Sequence, residues 1–132
     1  MKSIKLHHGD ISFENICKKG KGWRLIDKMF IKNGINAYEK VLEGESGFIS
    51  PKQMIRIRYG FVKESPDLTE ADDIFALGML VLQLASGIPS SLCYKEMNIR
   101  FNEDVLNQNM QVCKKKYDKN FNELLASMLT LE

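Results

Sequence analysis

Cysteine is scarce and odd in number. Cys17, Cys93 and Cys113 stand far apart with no C-x-x-C among them, which excludes a disulfide-framed small scaffold and a cysteine-rich zinc motif. Reduced thiols in the cytosol or a similar compartment are therefore expected. Long apolar runs are also missing. The longest, Ile74 to Leu84, falls short of the roughly 20 residues a membrane span needs and follows directly on Asp72 and Asp73. Excess charge is absent too: a formal net of +2 gives no general attraction to nucleic acid or an anionic membrane. The lysines gather in two runs, Lys18-Lys19-Gly20-Lys21 and Lys114-Lys115-Lys116 with Lys119. No aromatic residues interleave them as a single-strand binding surface requires. A solvated turn and a solvated helix end explain these runs more simply than a dedicated site for an acidic partner. No G-x-G-x-x-G phosphate loop occurs, and there are no repeats or low-complexity tracts.

What is present suits one small globular domain with a single core, since 44% hydrophobic and 27% charged residues are ordinary globular usage. Gly20-Lys21-Gly22 reads as a hairpin turn between Ile16-Cys17 and Trp23-Arg24-Leu25-Ile26. From Lys28 to Gly47 periodicity is lost and glycines accumulate, as in a flexible segment. The strongest helix is expected from about Glu70 to Ser86, with a Thr69/Asp72 capping box, acids at its start and Gly87 as its stop. Its middle is apolar on every face, which predicts burial all round. A second helix spans Asn102 to Tyr117 with Val105, Leu106, Met110 and Cys113 inward. A third begins near Asn120, with Asn120 and Glu123 at capping-box spacing and Phe121, Leu124, Leu125, Met128 and Leu129 as its core stripe.

The chemistry-bearing residues lie near the start. His8-Gly9-Asp10-Ile11-Ser12-Phe13-Glu14-Asn15 is followed by Leu25-Ile26-Asp27. Mg²⁺ keeps several waters and takes only one or two protein oxygens beside phosphate, so Asn15 and Asp27 would suffice to hold it. Asp10 could orient a nucleophilic hydroxyl. Taken singly, each of these is equally an ordinary turn residue bonding its own backbone. The His7-His8 pair lacks a third ligand at a plausible spacing and reads as structural.

Together these residues resemble the catalytic loop and metal-binding motif of the protein kinase family, H-x-D-x-x-x-x-N followed by a later Asp. Gly47-Phe48-Ile49-Ser50-Pro51-Lys52 resembles the end of the family's activation segment, and Ala71-Asp72-Asp73-Ile74-Phe75-Ala76-Leu77-Gly78 the opening of its central helix. The resemblance implies Asp10 as the catalytic acceptor of the substrate proton and Asn15 and Asp27 as Mg²⁺ ligands. It implies His8 as a structural residue of the catalytic loop and Asp73 as the helix residue that anchors that loop. For Asp73 a plain helix-capping role is the alternative. Mg²⁺ and ATP are implied as cofactors by this resemblance only, with no cofactor in this chain as the alternative. The sequence departs from the pattern at Gly9 for Arg, Ser12 for Lys, Lys28-Met29 for Phe-Gly and Lys52 for Glu. Lys28 puts a cation beside a cation site.

The expected fold is α+β and mainly α: a partial protein kinase-like C-lobe with a short β-hairpin around the catalytic loop and a buried central helix. Residues 1–27 would carry the catalytic loop and metal-binding hairpin, 28–52 the activation-segment equivalent, with Ser46 and Ser50 as candidate modification sites, and 53–132 a helical subdomain. Only seven residues precede His8, so the nucleotide-binding lobe is expected elsewhere or not at all. A lobe without its usual neighbours should expose apolar patches that other proteins cover. The leading expectation is thus a pseudokinase-like structural or assembly subunit. Its partners would be other protein subunits, with no nucleic acid, no membrane and no sign of a homo-oligomer, at an intracellular, cytoplasmic or cytoskeletal or organellar address. An ATP-dependent Ser/Thr protein kinase completed by further sequence or another chain is the alternative, and an unrelated α-rich binding module the third.

Overall fold

The computed structural model describes residues 11–25, 48–52, 70–94 and 101–130. Asn15 ends a 3-10 turn, Phe13–Asn15, in which its N–H donates to the Ser12 carbonyl at 3.1 Å. The chain then runs into β1 (Ile16–Lys19) and β2 (Gly22–Leu25), paired antiparallel with Ile16 opposite Leu25 and Lys19 opposite Gly22. Gly20 takes φ +61 in the intervening turn, a conformation glycine adopts without steric cost. The hairpin is mostly solvent-exposed. A lone hairpin is marginal in water, and its tie to the core runs through Ile16 and Phe13, whose ring meets Phe48 edge to face at 5.6 Å.

Three α-helices carry the core of the described residues: α1 (Glu70–Ser86), α2 (Glu103–Lys116) and α3 (Lys119–Met128). Glu70, Asp72 and Asp73 place negative charge in the first turn of α1, where the helix dipole favours it. The helix stops where the N–H of Gly87, at φ +74, donates to the Gln83 carbonyl at 2.9 Å. A side chain would be strained in that left-handed conformation, so glycine is the natural stop. The expected bounds of α1 are met. All-round burial is not: Phe75, Met79 and Leu82 are buried, but Ile74, Leu77 and Leu84 remain 40%, 38% and 67% exposed. At 100° per residue these three share one face, opposite the buried arc. The helix is half-sided because α2 and α3 pack on one flank of it.

Asn102 caps α2 by accepting from the N–H groups of Asp104 and Val105, and Lys114, Lys115 and Lys116 fill its last turn. Both ends complement the dipole. Leu106 and Cys113 point inward as expected, and so does Asn109, a polar residue on the core face. α3 starts earlier than the sequence suggested. Asp118, not Asn120, is its cap, accepting from the Phe121 N–H at 2.8 Å. This start turns Leu125 and Leu129 into the core and leaves Leu124 exposed, against its expected inward place.

Gly78 sets the crossing of α1 and α3. A Cβ there would meet Leu129 Cδ2 at 2.8 Å and Met128 Cβ at 3.0 Å, closer than side chains tolerate. Absence of a side chain lets the end of α3 lie against the middle of α1. Among the described residues the architecture is mainly α with one small antiparallel sheet.

Candidate functional site

Of the residues assigned to catalysis and metal binding, Asn15 is described; His8, Asp10 and Asp27 lie outside the described residues, as do Lys28, Met29 and Ser46. The turn Phe13–Asn15 arises because the extended Ser12 offers its carbonyl to Asn15 before the strand begins. It draws two polar side chains inward: Ser12 is 1% exposed and Asn15 0%. Both are engaged by neighbours. The Asn15 Oδ1 atom itself accepts no hydrogen bond.

A hydrated Mg²⁺ retains several waters and shares its remaining positions with phosphate, so its protein ligand must face open space. Asn15 has no accessible surface. Ser12 stands where the resemblance calls for a phosphate-contacting lysine, and it is a neutral hydroxyl in the interior. Among the described residues no group of three His, Cys, Asp or Glu side chains is placed to hold a metal ion.

Polar order in the interior is concentrated where residues 48–52 meet α1. Ser50 Oγ donates to Asp72 Oδ1 at 2.6 Å, with both side chains buried. One residue before Ser50, the Ile49 carbonyl accepts from the Tyr94 hydroxyl at 2.7 Å. Burial raises the Tyr94 pKa well above its ordinary 10.0, with the neighbouring Cys93 thiolate adding to the rise. Phe48 and Ile49 sit in the core beside Phe75 and Met79. Together these contacts fix residues 48–50 onto the start of α1 and the turn Ser90–Cys93 that follows it.

The buried acid of α1 is therefore Asp72. Asp73, the acid favoured from the sequence, is half-exposed and has contacts of its own. Helical spacing could have found Asp72: it lies three, seven and ten residues before Phe75, Met79 and Leu82, on the buried stripe, whereas Asp73 lies at the stripe's edge. Ser50, considered as a modification site, is buried with its hydroxyl committed to that carboxylate.

The three thiols are free. Cys17 is exposed on β1, whereas Cys93 and Cys113 are fully buried. Burial pushes the Cys93 thiol up to about 11 and also raises Cys113, whose rise the charge of Lys116 partly offsets. Buried thiols held protonated are poor nucleophiles. The Asn109 amide donates to Cys93 Sγ at 3.9 Å, linking α2 to the turn after α1.

Comparison of the chain with protein-family models, with curated proteins and with solved structures finds no match in any of the three. Among the described residues no helix is long and apolar enough to cross a membrane.

Proposed function

We propose that this chain is a protein kinase-like large-lobe segment working as a structural or assembly subunit held by other proteins, and that it does not transfer phosphate. The observation that carries this reading is the open face of α1. One face of α1 presents Ile74, Leu77 and Leu84 together to solvent, a surface that calls for a covering partner. The resemblance of the motifs around Asp10, Asn15 and Asp27 supplies the family. The buried, neutral Ser12 and the enclosed Asn15 speak against a working magnesium phosphate site.

The competing reading, an ATP-dependent Ser/Thr protein kinase, draws on the sequence order in which Asn15 closes a turn and a tight hairpin follows it toward Asp27. The two differ in what mutation does. In the native source, the chain should migrate in a complex larger than its own mass, and Leu77→Asp with Leu84→Asp should release it as a monomer. Asp10→Asn and Asp27→Asn should leave the complex unchanged. Recovery of the wild-type chain as a monomer would overturn the assembly role.

A further inference from the structure

The corner between α2 and α3 holds a second candidate surface. Lysines at the end of α2 are accounted for by the helix dipole, but the cleft beside them is not. It is a shallow, solvent-open cleft of about 380 Å³ lined by Lys114, Tyr117, Lys119, Asn122, Glu123 and Ala126. That volume lies in the range of about 300 to 1,000 Å³ typical of ligand clefts.

One side of it, Tyr117 and Asn122, is held in place by the fold. The Tyr117 ring rests on Phe121 with centroids 4.7 Å apart, and its N–H donates to the Cys113 carbonyl at 2.9 Å. The Asn122 amide donates to the carbonyls of Tyr117 at 3.1 Å and Asp118 at 2.7 Å, clamping the two-residue link between the helices. With that amide committed, the groups left to meet a ligand are the Tyr117 ring, Ala126, the lysine stems and ammonium groups, and the Glu123 carboxylate. Glu123 lies 3.7 Å from the Lys119 ammonium across one helical turn, so one lining lysine is locally compensated and Lys114 is not. Lys115 and Lys116 flank the mouth in sequence. An apolar floor beside the positive end of α2 selects an occupant with an apolar side chain and negative charge beside it.

We infer that this corner docks an acidic segment of a partner protein, seating one apolar side chain against Tyr117 and Ala126 and its carboxylates on Lys114 and the lysines beside it at the end of α2. A nucleic acid is the poorer fit, since a single aromatic ring gives no stacking platform for successive bases. The inference goes beyond the assembly role and rests on it only in taking the occupant to be a protein. It uses a different face from that of α1.

Fluorescence anisotropy on the full chain tests it, with a labelled peptide of two glutamates on either side of one phenylalanine as probe. Saturable binding is expected, weakened about tenfold or more by Lys114→Gln with Lys115→Gln, as for lost rim charges, and weakened by added salt. Tyr117→Ala and a probe with glycine for phenylalanine should both lose affinity, while Lys52→Gln, an exposed lysine elsewhere, should not. Absence of saturable binding overturns the inference. So does equal affinity for the glycine probe, or tighter binding of a single-stranded oligonucleotide of matched charge. Any of these results leaves the complex-size test on Leu77 and Leu84 standing by itself.

Discussion

The Ser50 hydroxyl and the Asp72 carboxylate meet at 2.6 Å in the interior, across 22 positions of sequence. A buried carboxylate requires donors, because desolvation without them costs more than the bond returns. This pair therefore fixes residues 48–52 against the first turn of α1, the same place where Phe48 and Phe13 bring in the hairpin. Ser50→Ala should lower stability by about 1–3 kcal/mol in urea denaturation, the penalty for depriving a buried polar group of a donor. A loss of a few tenths would show that the bond is exchanged freely for water.

Gly78 makes the opposite of the usual prediction for a glycine within a helix. On propensity alone Gly78→Ala would gain close to 1 kcal/mol. With Leu129 Cδ2 at 2.8 Å from the new Cβ, it should instead destabilise by about 1–3 kcal/mol through overpacking. Leu129→Ala should cost about 2–5 kcal/mol by itself. The double variant should lose clearly less than the sum, and simple additivity in denaturation would refute the contact.

Helix bounds and the hairpin were legible because their determinants are local. Gly87, the acids of the first turn of α1 and the glycines around Lys21 each act within a few residues of their own position. The start of α3 was misread because the capping rule is degenerate there: Asn120 and Asp118 both sit upstream of a plausible partner, and tertiary packing of Leu125 and Leu129 favours Asp118. The exposure of Leu77, Leu84 and Leu124 was illegible for a related reason. Apolar periodicity says which residues can be buried and not which neighbours arrive to bury them. Of the candidate site, the residue types were readable, but the enclosure of Asn15 and the partnership of Ser50 with Asp72 depend on contacts distant in sequence.

Asp118→Ala should remove the cap of α3 and cost about 1 kcal/mol, within the 0.5–2 kcal/mol seen for such caps. Asn120→Ala, at an exposed position inside the helix, should be neutral or slightly stabilising by propensity. Thermal melts of the two variants decide between the caps, and a larger loss at Asn120 would reverse the assignment.

Alkaline pH should weaken the fold through Cys93 and Tyr94. The Cys93 thiol is raised from 9.0 to about 11 by burial, so between these values the folded chain keeps a proton that the unfolded chain has released. Stability then falls as pH rises through that window. Tyr94, raised from 10.0, acts in the same direction at higher pH. Melting temperature measured from about pH 8 to about pH 10.5 should decline, and Cys93→Ala should flatten the early part of the decline. A slope unchanged by Cys93→Ala would contradict this origin.

Thiol accessibility follows from the same burial. Native protein treated with iodoacetamide near neutral pH should carry a single adduct, on Cys17, and unfolded protein three. Rapid native labelling of Cys93 or Cys113 in intact-mass spectra would show that the interface of α1, α2 and the turn after α1 opens readily.

The most direct test of the central claim is transfer of labelled γ-phosphate from Mg²⁺-ATP to the chain's own complex and to a generic acceptor protein, comparing wild type with Asp10→Asn. The account predicts no transfer above background and no difference between the two. Transfer by the wild type that Asp10→Asn abolishes would contradict it and make the chain part of a working kinase.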